Sequence, residues 1–287
     1  MPFVWTHILF SEEVIDAANK PYSKYDDCMK LGAQGLYFFT HHRLWLNSRD
    51  TLSTFGEDLY DNHYDEFIAD LIISAKGNSS QIQSYVLGQV THYVLNKNTH
   101  PYINYCTNKY NCSREQMEVI LDALLMDQYY NIKTWKNKIH KEIDISTKFH
   151  QDIIDLLNHI FKKHYPELNS APNNYIQNAF REWKRALRIL SDPYGWKSFL
   201  LKPFRSLVVY GPVRTTYDFL NLNHSTWQHP GTKESSSKSF VDLFNQSRVE
   251  GIEVITAVLN FWKGKNHFSK HALLEFLNHD KEASAAE

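Results

Sequence analysis

Apolar side chains recur at helical spacing along most of this 287-residue chain, and that recurrence limits its possible folds more than any other feature. Met117, Ile120, Leu121, Leu124 and Leu125 form one stripe. It opens on Ser113-Arg114-Glu115-Gln116, which has the form of a capping box, with Gln three residues after Ser. A second stripe, Ile153, Ile154, Leu157, Ile160 and Phe161, closes before Pro166. A third runs from about Tyr175 to Leu190 through Ala179, Phe180, Trp183, Ala186 and Leu187, and stops at Ser191-Asp192-Pro193. A fourth starts near Ser239 and includes Phe240, Leu243, Phe244, Ile252, Ile255 and Val258. The last covers about Ser269 to Asn278, and segments 67–75 and 82–95 read as further helices. The one β-like run is Ser206 to Tyr210. Residues 221–238 are rich in Asn, His, Ser, Pro and Gly but carry Trp227, so they read as a long ordered loop. Gly is only 10 of 287 residues, about half the usual ~7%, which leaves few tight turns for a β-sandwich. The expectation is an all-α fold in one domain, residues 1–287.

Composition narrows the function. The 31 basic and 32 acidic residues nearly cancel, so no global field would gather nucleic acid, and strong nucleic-acid binding is not expected. No run of about 18 apolar residues is present, so no transmembrane segment is expected. The first residues lack the basic stretch and apolar run of a secretory signal. Cys28, Cys106 and Cys112 make an odd set with no pairing pattern, which fits a reducing compartment. Together these point to a cytoplasmic protein. No Gly-rich phosphate loop and no nucleophile elbow occurs.

Fifteen histidines make a metal site worth seeking. His92 and Asn96 lie four apart and share one face of a helix. His100 follows four residues on, just before Pro101, which ends that helix or sits past it. His140 and Asp144 repeat the spacing. Neutral imidazole with carboxylate is the ligand set of a hydrolytic Zn2+ site, and packed helices build metal centres from such pairs. Spacing alone is weakly specific, because chance pairs four apart are expected among fifteen histidines. His7 reads as a buried histidine at the start of an apolar segment, His41 and His42 as a surface-to-core transition, and Lys162-Lys163-His164 as a solvated helix end. Cys106 and Cys112, six apart, match no zinc module.

Several segments together resemble a known family. In chain order they are Trp5-Thr6-His7-Ile8-Leu9-Phe10, Leu31-Gly32-Ala33-Gln34-Gly35, the stretch from Val90-Thr91-His92-Tyr93 to Asn98-Thr99-His100-Pro101-Tyr102-Ile103, His140-Lys141-Glu142-Ile143-Asp144, and Asp218 to Asn221 through Trp227-Gln228-His229-Pro230. They resemble the cytoplasmic branch of the bacterial zinc-dependent phospholipase C family, which is related at fold level to the single-strand nucleases with three zinc ions. The resemblance spans nearly the whole chain, and the stretch around His92 to Tyr102 carries it most specifically. It implies an all-α bundle with a metal cluster at its centre. It also implies His7, His92, His140 and Asp144 as metal ligands, with His100 as a further one.

The departures from the family pattern are specific. Gly-Ala-Gln-Gly is usually followed there by Pro-Asp, whose Asp is a ligand that helps activate water; here Leu36-Tyr37 follows. A ligand histidine is expected near Tyr60, and His63 is the nearby substitute. The family's Asp after the Thr-His-Tyr segment is Asn96. His63, Asp61 and Asp65 are the candidates for compensation. Asp→Tyr and Asp→Asn each remove a negative charge that would offset Zn2+, and excess positive charge in a partly dry site is costly. The expectation is at most one Zn2+, held by His100, His140 and Asp144, or none. Two functions follow. One is metal-assisted hydrolysis of a small phosphoester or phospholipid headgroup. The other is a non-catalytic relative in which Tyr37 and Tyr60 fill the old site and the scaffold binds a partner or small ligand. A nuclease-like activity is disfavoured by the charge balance.

Overall fold

The computed structural model describes residues 3–18, 25–40, 64–137, 139–143, 150–165, 168, 172, 174–190, 213 and 215–278. His41, His42, Tyr60, Asp61, His63, Asp144 and the β-like run 206–210 lie outside the described residues. The elements in chain order are α1 (Val4–Ala17), α2 (Asp26–Gly32), α3 (Tyr37–Thr40), α4 (Tyr64–Ala75), α5 (Ser80–Tyr110), α6 (Arg114–Tyr129), α7 (Ile139–Glu142), α8 (Gln151–His164) and α9 (Tyr175–Leu190). A hairpin of β1 (Trp227–Gln228) and β2 (Ser235–Ser236) follows, then α10 (Phe240–Trp262) and α11 (Lys270–Asn278). The described chain is therefore all-α, apart from one antiparallel pair with Trp227 opposite Ser236.

Helix α5 is the axis of the fold, with α1, α2, α4, α6, α8 and α10 packed around it. Val86, Leu87, Val90, Val94 and Leu95 are fully buried, and so are the polar Gln89 and His92. A helix buried all round shows no single apolar stripe. That is why sequence periodicity marks only part of it. Ser79 caps its start by accepting the Ile82 N–H, and Asn111 ends it in the left-handed conformation at φ 49. Its contact with α2 is backbone on backbone. A Cβ on Gly32 would lie 2.0 Å from the Tyr85 carbonyl oxygen, and one on Gly88 would lie 2.2 Å from that of Met29. Neither carbonyl can move without displacing its helix. Gly88→Ala is therefore expected to lower stability by about 1–3 kcal/mol, the usual range for overpacking. An unchanged urea midpoint would refute so tight an approach.

Pro101 does not end α5; the helix runs on for nine residues to Tyr110. The missing N–H and the ring clash disfavour this by about 3 kcal/mol in isolation. Packing and side-chain bonds offset it. Asn98 Nδ2 donates to the Val94 carbonyl at 3.0 Å and Thr99 Oγ1 to that of Leu95 at 2.8 Å. From α10, Glu250 accepts Lys97 Nζ and Asn98 Nδ2, both at 2.7 Å. Beyond the proline, Tyr102 Oη donates to the Phe219 carbonyl at 2.7 Å.

Residues 221–238 are held by local bonds. Asn221 Nδ2 donates to the Ser225 carbonyl and its Oδ1 accepts the Ser225 N–H, at 2.9 and 3.0 Å. Trp227 Nε1 donates to the Lys238 carbonyl at 2.9 Å. A reciprocal capping box between Ser239 and Asp242 then opens α10. The end of α8 is not simply solvated. His164 Nε2 and Lys163 Nζ reach Asp70 Oδ2 of α4 at 2.6 and 2.7 Å, and Lys270 Nζ of α11 joins at 3.1 Å. Burial alone would raise the Asp70 pKa, but the bonds from Lys163, His164 and Lys270 outweigh it and hold the carboxyl below its usual range. No helix among the described residues is long and apolar enough to cross a membrane.

Candidate functional site

The four-residue repeat on α5 places His92, Asn96 and His100 along one face, and α1 brings His7 against it. The His7 and His92 rings stack with centroids 4.2 Å apart and planes 30° from parallel. The turn after α2 supplies the next wall. His92 Nδ1–H donates to the Ala33 carbonyl at 3.0 Å, which leaves Nε2 as the acceptor. Asn96 Nδ2 donates to that Nε2 at 2.8 Å. Gly35 adopts φ +61, and a Cβ there would lie 2.4 Å from Nε2 of His92, so only glycine fits.

Tyr37 stands edge-on to the His92 ring, with centroids 5.4 Å apart and planes at 82°. Tyr37 thus borders the histidines. Its hydroxyl makes a long contact, 3.4 Å, to Oε1 of Glu118 on α6. Arg114 Nε donates to the same oxygen at 3.0 Å. One turn on, Asp122 Oδ1 accepts the backbone N–H and the hydroxyl of Thr6 at 2.7 and 2.6 Å. Helix α1 begins with Phe3 in the left-handed region and has no side-chain cap of its own. Asp122 acts as that cap from α6, and so fixes the turn that carries His7.

Burial sets the charges. The His7 pKa falls well below the ordinary imidazole value because the ring is buried and close to His92 and His100, with Asn96 opposing. Burial takes His92 down to about 3 against the Ala33 bond, and the Arg114 charge lowers it further. His100 is pushed well down by burial, then by Arg114 and His92. Three neutral imidazoles are the form that metal ligation requires. Burial raises Glu118 to about 7, opposed by Arg114, and Asp122 to about 6, opposed by Thr6.

Both ring nitrogens of His7 and Nε2 of His100 are buried without a hydrogen-bond partner. Asn96 also lies within side-chain hydrogen-bond reach of His7, while its Nδ2 bonds to His92 Nε2. Buried unpaired polar atoms are rare and cost about 1–3 kcal/mol each. Three such atoms sit on His7 and His100, and imidazole nitrogen is a donor that suits a borderline cation such as Zn2+. His100 and Asn96 also line a groove of about 940 Å³, walled by α5, the hairpin residues Trp227 and His229, and Leu243 of α10. Of the three histidines, His100 borders this cavity, which is large enough for a small ligand.

His140 is on α7, whose described packing is against α9. Asp65 accepts Asn278 Nδ2 at 2.9 Å and lines the same groove as His100. Glu118 and Arg114 were not expected from the sequence. Their signal was two acids four apart, Glu118 and Asp122, each beside an apolar stripe residue, Met117 and Leu121. No protein-family model matches the chain, and neither does any curated protein or solved structure.

Proposed function

We propose that the chain is a phosphoester hydrolase of the zinc-dependent phospholipase C type, reduced to at most one Zn2+ in this pocket and turning over weakly. The observation that carries this reading is the set of buried nitrogens of His7 and His100 that lack a hydrogen bond of regular geometry, with His100 lining the groove. Those two side chains would hold the ion. A bound Zn2+ supplies Lewis-acid polarisation of a phosphoryl oxygen. Glu118 restores, from α6, part of the negative charge that Tyr37 removes, and the Tyr37 hydroxyl reaches it. With its pKa near 7, Glu118 can accept a proton at neutral pH, which suits a general base. The groove accepts a small phosphoester or a phospholipid headgroup.

One observation favours the second reading, a non-catalytic ligand-binding relative. Asn96 donates to the lone pair of His92, the pair a metal would need, where the family has an acceptor carboxylate. The two readings separate on zinc content paired with hydrolysis of a chromogenic phosphodiester and a short-chain phosphatidylcholine. The expected result is weak hydrolysis that needs zinc. His100→Ala should abolish it, and Glu118→Gln should reduce it by about 10²–10⁴, as loss of a general base does. Asn96→Asp should raise zinc retention. Hydrolysis absent at saturating zinc in the unaltered protein supports the binding role. Three zincs per chain with brisk turnover would refute both.

A further inference from the structure

Away from the histidine pocket, Asp27 and Cys28 on the first turn of α2 meet His150, the residue that precedes α8. Among the described residues these three form the one trio of Asp, Glu, His or Cys with donor atoms all within 4.8 Å of one another. We propose that Asp27, Cys28 and His150 form a second metal site, selective for a thiophilic divalent cation of the Zn2+ class, that ties α2 to α8.

The donor set fits that cation. Thiolate, imidazole and carboxylate all bind Zn2+ at about 2.0–2.3 Å, which places ligand atoms of a tetrahedral site about 3.5 Å apart. A group already within 4.8 Å closes by rotamer adjustment of about 1 Å. Sulfur excludes Mg2+ and Ca2+, which take oxygen ligands. Each ligand is also oriented for the task. Asp27 Oδ1 accepts the backbone N–H of Cys28 at 2.9 Å, which fixes the carboxylate over the thiol. His150 occupies the N-cap position of α8 but makes no side-chain cap bond. Cys28 is fully buried, whereas Asp27 and His150 are half-buried, so the site opens to solvent on one side and leaves a fourth position for water. Burial and the Asp27 charge push the Cys28 thiol up to about 12, so without a cation it is an inert thiol. A divalent ion reverses that local preference, because a coordinating thiol loses its proton.

The position explains what such an ion would do. Helix α2 leads within one residue to Ala33, whose carbonyl fixes the His92 tautomer, and then to Gly35 against the His92 ring. An ion joining α2 to α8 would hold that wall of the pocket. The assignment uses no pocket residue and stands whether or not the hydrolase reading does.

The test uses the full chain, stripped with chelator, reduced and titrated with Co2+. The expected result is a thiolate-to-cobalt charge-transfer band that saturates at one equivalent and is bleached by Zn2+. Cys28→Ser should abolish the band. His150→Ala and Asp27→Asn should weaken Co2+ binding by at least the ~10–100-fold that even outer-shell losses cost. His92→Ala and His100→Ala should keep the band. A missing band, or one that survives Cys28→Ser or depends on Cys106 or Cys112, overturns the assignment. Should Cys28→Ser fail to fold, the half-buried His150→Ala decides alone: unchanged affinity in that variant also overturns it.

Discussion

Asp122→Ala is expected to lower the stability of the chain by about 2–5 kcal/mol, the cost of leaving two buried donors unpaired. Asp122 is buried and accepts two bonds from Thr6, at 2.7 and 2.6 Å. Alanine would leave a backbone N–H and a hydroxyl without a partner in the interior, each worth about 1–3 kcal/mol. No local residue can take over, because Phe3 enters α1 at φ 52 and offers no cap. Asp122→Asn keeps an oxygen that can accept both bonds and should lose less, about 1–2 kcal/mol, since two neutral bonds replace two charge-assisted ones. Urea denaturation of the two variants beside the parent measures both losses. The first turn of α1 also carries His7, so zinc retention should fall with stability in Asp122→Ala. A loss below about 1 kcal/mol would show that α1 is seated by other contacts.

The fold was legible wherever a helix has one buried face and one wet one. About Tyr175 to Leu190 is legible as α9, a start near Ser239 as α10 and Ser113 as the cap of α6, because amphipathic periodicity and capping chemistry are local. Helix α1 was missed as a helix because its segment is apolar on most sides, with Val4, Ile8, Phe10, Val14 and Ile15 all buried. Pro101 misled for the opposite reason: its local penalty is real, but Glu250 and Phe219, more than a hundred residues away, offset it. The site divides in the same way. His92 and Asn96 follow from a four-residue spacing, and their meeting with His7 was implied only by resemblance. The Tyr37 hydroxyl reaches Glu118 because α6 crosses there, a tertiary fact with no local signal. Asp27, Cys28 and His150 gave no signal either, since more than a hundred residues separate the first two from the third.

Acid should unfold the metal-free chain steeply below about pH 4, after a shallow decline from neutrality. Two sets of buried groups oppose each other. The folded pKa values of His7, His92 and His100 lie below the ordinary value of 6.5, that of His92 at about 3. As pH falls through 6.5 the unfolded chain binds these three protons and the folded chain does not, so the histidines remove stability throughout the interval between the two values. Glu118 and Asp122 act in reverse. Their folded values, about 7 and about 6, exceed the ordinary 4.5 and 3.8, so the folded chain takes up those two protons first and gains stability as pH falls through that window. Between about pH 6 and 4.5 the two carboxylates offset the histidines in part, so the decline is shallow. Below about 3.8 the carboxylates are protonated in both states and only the histidines differ. The slope then steepens, by about 1.4 kcal/mol per pH unit for each histidine that is still neutral in the folded chain, and His92 contributes down to about pH 3. Asp70, whose carboxyl is held below its usual range, adds to the loss in the same direction. Urea midpoints measured from pH 8 to pH 3 in chelator give the profile. His92→Asn should remove one proton from the steep limb and leave the limb near pH 7 unchanged. A slope in that variant equal to the parent's below pH 4 would mean that His92 is protonated in the folded chain, and that the neutral histidine cluster has been wrongly assigned.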